Sequence, residues 1–150
     1  MLDYKNDFEH FTFLAKHVND KTKTSGTRMG WSEALNGVRA LQEGCFLLSK
    51  NAGWHREDSS NPLAFATKIA LIHSEVSEAL EGFRKNLMDD HLKDRKAVEV
   101  ELADAVIRIM DLAGALNLDL GGAIVEKLAY NQVRADHKPE ARAETNGKKF

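Results

Sequence analysis

Four carboxylates in this chain stand in two pairs of equal spacing, Glu75 with Glu78 and Glu101 with Asp104, each i, i+3. Residues three apart are neighbours on a helix surface. If LIHSEVSEALEGFRKN and AVEVELADAVIRIMD form facing helices, the two pairs make a four-carboxylate pocket. Oxygen-only donors favour hard divalent cations, Mg2+ or Mn2+. A carboxylate-bridged di-iron bundle needs Glu-x-x-His, and no glutamate here has a histidine three residues later. Neither Cys nor His clusters at zinc-ligand spacing. His73 falls toward the apolar face and reads as a hydrogen-bonded structural histidine.

The helices that must position these acids carry their own signal. At about 100° per residue, Val98, Leu102, Ala105, Ile109, Leu112 and Leu116 form an apolar stripe widened by Val106, Met110 and Ala113, while Val100 and Ile107 lie nearly opposite. Glu101, Asp104, Arg108 and Asp111 therefore occupy a narrow polar strip flanked on both sides by apolar residues. Such a helix is expected to be packed on both sides, with its strip at least partly buried and paired with cations. Arg108 balances only part of that charge. On the preceding helix Phe65, Ile69, Ile72, Val76, Ala79, Leu80 and Phe83 form the main stripe, with Ser74, Ser77, Glu81 and Arg84 on the wetter flank.

Around this pair the chain reads as all-α, four or five helices in a bundle with short connections. Asp3 to about Asn19 is amphipathic with an aromatic face (Tyr4, Phe8, Phe11), and KTKTSGTRMG is a loop. A helix from Ser32 carries Leu35, Val38, Leu41, Cys45 and Leu48 and stops near Gly53. Asn61-Pro62 starts the first acid-bearing helix, which runs to about Asn86. The second runs from about Lys93 to Leu116. Asn117 ends it, and Asp119 caps a last helix to about Ala135. On that helix Lys127, Asn131 and Arg134 share a face, a plausible phosphate-facing edge whose alternative is a solvated surface. Trp54 could stack on a planar ligand and Asn51 hydrogen-bond its edge; equally, Trp54 is a packing anchor.

At 150 residues, 43% hydrophobic and formal net charge −2, the chain is expected to be a single domain without a nucleic-acid footprint. We divide it into a helical N-terminal extension, 1–50, and a motif-bearing core, 51–150. No apolar run approaches the ~20 residues of a membrane span, and the N-terminus lacks a signal-peptide core. A lone cysteine, Cys45, reads as a buried inert thiol in a reducing cytoplasm.

Taken together, E75-x-x-E78, E101-x-x-D104, K127-x-x-x-N131-x-x-R134 and a terminal GKKF resemble the MazG-like all-α nucleoside triphosphate pyrophosphohydrolases over roughly Asn51 to Phe150. The resemblance implies cleavage of a nucleoside triphosphate, often a deoxynucleotide such as dGTP, to the monophosphate and pyrophosphate. It makes Glu75, Glu78, Glu101 and Asp104 the metal-binding carboxylates. Lys127, Asn131, Arg134, Lys148 and Lys149 come near the phosphates, and the chains assemble as homodimers or homotetramers. Many members begin the first motif with two glutamates, whereas this chain has Ser74 then Glu75. A divalent cation would neutralise the triphosphate and supply a nucleophilic water near neutral pH, with Glu78 orienting that water. Two other readings use the same residues: a nucleotide-binding helical module without turnover, and a structural bundle whose acidic strips pair with Arg108 and its neighbours.

Overall fold

The computed structural model describes residues 31–133 and 138–145. They form five helices: α1 (Trp31–Asn51), α2 (Pro62–Lys85), α3 (Ala97–Ala115), α4 (Leu120–Val133) and the short α5 (Pro139–Ala143). The architecture is all-α, and among the described residues no strand occurs, only an isolated antiparallel bridge between Met88 and Lys96. None of the described helices is long and apolar enough to cross a membrane. The expected helix over 3–19, the loop over 21–30, Arg134, Lys148 and Lys149 lie outside the described residues.

Local chemistry sets the helix ends. Asn61 accepts a hydrogen bond from the Leu63 N–H while Pro62 occupies the first turn, satisfying one of the orphan donors at the start of α2. Asn86 and Asn117, both at φ 53°, end α2 and α3 in the left-handed conformation, and Gly53 at φ 84° follows α1. Asparagine and glycine tolerate that region best. The second acid-bearing helix begins at Ala97 rather than near Lys93, because 87–97 folds back on itself. Asp89 N–H donates to Arg95 O and Ala97 N–H to Leu87 O, each at 3.0 Å. The Asp89 carboxylate accepts from the backbone N–H groups of Leu92 and His91, and those bonds hold its carboxyl below the usual range.

Helix α3 is the centre of the packing, lying between α2 and α1, with α4 seated on α1. Cross-links Lys68 to Asp111 and Glu75 to Arg108 show that α2 and α3 run antiparallel. Helix α1 carries Cys45 into the core.

The buried apolar residues are mostly small: Ala79, Ala97, Ala105 and Ala113, with Cys45, Met110 and Leu112. Small side chains let helices approach closely. A Cβ at Gly82 would lie 2.9 Å from the Ala97 Cβ, and one at Gly114 would lie 2.5 Å from the Phe46 Cβ. Overpacking of such a seam typically costs about 1–3 kcal/mol. The face α2 turns to α3 carries Glu75, Ala79 and Gly82, all buried. Much of its expected apolar stripe, Val76, Leu80 and Phe83, is left exposed, Phe83 at 71%.

Helix α1 is tied to the start of α4 by a fork. Arg39 donates through Nε to Asp119 Oδ1 at 3.0 Å and through Nη2 to Oδ2 at 2.6 Å. Asp119 also caps α4, accepting from the Gly122 N–H at 3.0 Å. The Arg39 bond, then the cap, lower the Asp119 carboxyl to about 2. A carboxyl depressed on folding adds stability above its unfolded pKa and loses it as pH falls through the folded value. We therefore predict that Asp119→Asn, which keeps the cap, lowers the melting temperature at pH 7. The gap to wild type should close between about pH 4 and pH 2 in melts across that range; a gap independent of pH would contradict this account.

Candidate metal centre

The antiparallel register brings the two i, i+3 pairs face to face. Glu75, Glu78 and Glu101 each offer a carboxylate oxygen, and these oxygens lie within 4.8 Å of one another. Asp104 stands beside this trio, close enough that Glu75 raises its carboxyl and that it raises Glu101 in turn. Exposure is graded: Glu75 is buried at 6%, Glu101 half-buried and Glu78 exposed, so the cluster opens to solvent at Glu78.

Its charge is incompletely balanced. Arg108 Nε donates to Glu75 Oε1 at 2.6 Å, and among the described residues it is the cation paired with the cluster. The Glu101 carboxyl is pushed above its ordinary value by burial, then by Glu78, by its hydrogen bond with Glu75 and by Asp104. Burial also raises Asp104, followed by Glu75 and, more weakly, Asp89, with Arg108 pulling the other way. Like charges crowded in a partly desolvated place disfavour ionisation. A hard divalent cation would relieve that crowding, and an all-oxygen donor set matches Mg2+ or Mn2+ in chemistry.

Farther along α3, the polar strip meets a second and fully compensated set. Asp111, buried at 7%, accepts from Lys68 Nζ at 2.9 Å and lies 2.6 Å from His55 Nε2. His55 meets Phe46 edge-on, with ring centroids 5.1 Å apart. Burial, and then Asp111's charge, raise the neighbouring Cys45 thiol, which makes it a poor nucleophile. Sequence reasoning missed His55, Lys68 and Asp89. The available signal was a charge deficit: with Arg108 on the same strip unable to serve every acid, Asp111 needed partners from other elements.

The other expected site residues are dispersed. Trp54 is 77% exposed, and Asn51, the last residue of α1, is half-buried. Lys127 is exposed, its Nζ 4.9 Å from the ring centre of Tyr130 on its own helix. Asn131 is half-buried, with an Oδ1 that has no hydrogen-bond partner. Helix α4 packs on α1, and no hydrogen bond or ion pair described here joins Lys127 or Asn131 to the carboxylates. His73 is exposed rather than held on the apolar face, because α2 turns its Glu75, Ala79 and Gly82 side inward. A cleft of about 400 Å³ lined by Arg39, Gln42, Phe46, Gly114 and Asp119 lies toward the far end of α3 from the acids.

No protein-family model matches the chain, and no curated protein or solved structure does.

Removing Asp111 would leave Lys68 and His55 partly buried without their acceptor. Breaking such a set from one side typically costs about 3–5 kcal/mol. We predict a loss of that order for Asp111→Ala in urea unfolding, and a change under about 1 kcal/mol would show the set to be energetically idle.

Proposed function

We propose that this chain is a MazG-like pyrophosphohydrolase that uses a divalent cation, Mg2+ or Mn2+, to cleave a (deoxy)nucleoside triphosphate to the monophosphate and pyrophosphate. The observation that carries this reading is the convergence of Glu75, Glu78 and Glu101 oxygens within 4.8 Å across two helices. Crowding there raises the Glu101 and Asp104 carboxyls, a cost that a bound divalent cation would offset. The motif order along the chain, rather than any relative, supplies the substrate class.

Within the proposal Glu75, Glu78, Glu101 and Asp104 hold the cation. When bound, that ion neutralises phosphate charge and makes an attacking water more acidic. Glu78, the exposed member, is best placed to orient the water and accept its proton. Ser74 supplies no carboxylate, and its hydroxyl donates to the Leu71 carbonyl of its own helix at 2.8 Å. Lys127 and Asn131, with Arg134 and the terminal lysines, enter through the motif as holders of the departing pyrophosphate.

The proposal includes assembly into dimers or tetramers. Val76, Leu80 and Phe83 on α2 and Leu102, Val106 and Ile109 on α3 are exposed apolar stripes at i, i+4, i+7. Exposed apolar surface of that extent marks interaction sites in soluble proteins. At about 100° per residue, the α2 stripe lies on the opposite flank of the α3-facing line from Glu78.

Two experiments test the proposal. Purified protein with Mg2+ or Mn2+ is assayed against each standard ribo- and deoxynucleoside triphosphate. Monophosphate plus pyrophosphate should form from one or a few bases, with at least a ~100-fold loss in Glu101→Ala. Diphosphate plus phosphate as the first products would refute the assigned reaction. Sedimentation velocity should show wild-type dimers or tetramers and a smaller species for Phe83→Glu; a monomeric wild type would remove assembly from the reading.

A further inference from the structure

Glu75 and Arg108 are unequally placed. The carboxylate side chain is 8% exposed and the guanidinium side chain 43% exposed, with 2.6 Å between Nε and Oε1. The acid is fixed in the helix interface while the cation has a route into solvent. The other cations near this end of the α2–α3 pair are held elsewhere: Arg95 on Glu99, Lys85 on Glu81, and Lys96 on the Asn86 side-chain oxygen. Lys68 is taken by Asp111. A buried carboxylate stripped of its partner is strongly penalised, so the Arg108 bond can open cheaply only if another cation takes its place at Glu75.

We infer that Arg108 is an internal counter-ion of the acidic cluster, occupying Glu75 in the metal-free protein and displaced from it when a divalent cation binds. This rests on the metal-site reading above and adds a property to it. Metal binding is an exchange of one cation for another rather than the filling of a bare anionic hole. The exchange keeps the metal-free helix pair folded, and it weakens metal affinity by the free energy of the bond that must be broken. Three carboxylates that converge on one point suit a divalent ion, whereas the guanidinium makes its hydrogen bond to one of them. The cluster therefore discriminates by charge and coordination number, not by vacancy.

The test is Mn2+ binding, read by the paramagnetic resonance of free Mn2+ and by melting temperature, with no nucleotide present. Wild type, Arg108→Gln, Arg108→Lys and Arg95→Gln are compared, the last removing a charge from the connection just before α3, away from Glu75. We expect Arg108→Gln to melt lower than wild type without metal and to bind Mn2+ about tenfold more tightly. Arg95→Gln should stay within about twofold of wild type, as expected of an exposed screened charge. Unchanged or weaker Mn2+ binding by Arg108→Gln would overturn the inference, since Arg108 would then be positioning Glu75 for the metal. Equal tightening in Arg95→Gln would overturn it too, by reducing the effect to net charge. Should Arg108→Gln fail to fold, Arg108→Lys decides: tighter binding with the charge retained supports displacement of a specific bond, and wild-type affinity overturns it. A wild type that binds no Mn2+ defeats the metal-site reading itself, and does so before any variant is compared.

Discussion

The Glu75–Arg108 bond sits where the structure has least freedom. A carboxylate taken out of water between two helices costs several kcal/mol unless it is met by a cation and by hydrogen bonds, and here one guanidinium meets it. That requirement ties the face α2 shows to α3, the register between them and the direction of the polar strip. Seven residues back along α2, Lys68 meets Asp111, one turn onward along α3. These two cross-links fix the helices as rails with opposite polarity. Among the described residues the acids beyond them, Glu78, Glu101 and Asp104, have no such cross-linking cation, so the polar seam runs from compensated to uncompensated along its length.

This gradient separates two roles that a list of acidic residues would merge. Asp111 is saturated by Lys68 and His55 and, through His55, holds the connection between α1 and α2 against α3. Its chemistry is spent on the fold. Glu101 and Asp104 lie on the same strip two to three turns away and carry raised carboxyl pKa values from burial and crowding. A strip with both ends satisfied would be a scaffold. One satisfied end and one crowded end leave the strip part scaffold and part uncompensated acid.

Much of this was legible in the sequence, and the failures have physical causes. Helix ends at Asn61-Pro62, Asn86 and Asn117 were legible because capping and left-handed backbone depend on the residue itself. The acid pairs were legible because i, i+3 spacing survives any packing arrangement. The start of α3 was misplaced by four residues: within the charged connection LMDDHLKDRK, Lys93 to Lys96 also suit the polar first turn of a helix, and only the Asp89 carboxylate's grip on His91 and Leu92 reveals the turn. Periodicity also located the α2 apolar stripe without saying what covers it. Small residues won the α3 contact because they allow closer approach, leaving Val76, Leu80 and Phe83 outside. The Lys127 face shows the same limit, since a helical row says nothing about which helix it rests on, and α4 rests on α1.

The tight α2–α3 seam has a consequence for how the cluster can fail. Helices that interdigitate through small side chains do not slide continuously; they hop between packings separated by about a turn, roughly 5.4 Å. The three oxygens span no more than 4.8 Å. A single hop would therefore carry Glu101 past Glu75 by more than the width of the cluster. Partial disengagement has no intermediate geometry to occupy, so the carboxylate centre behaves as a digital element of the fold, assembled in one register and abolished in the next.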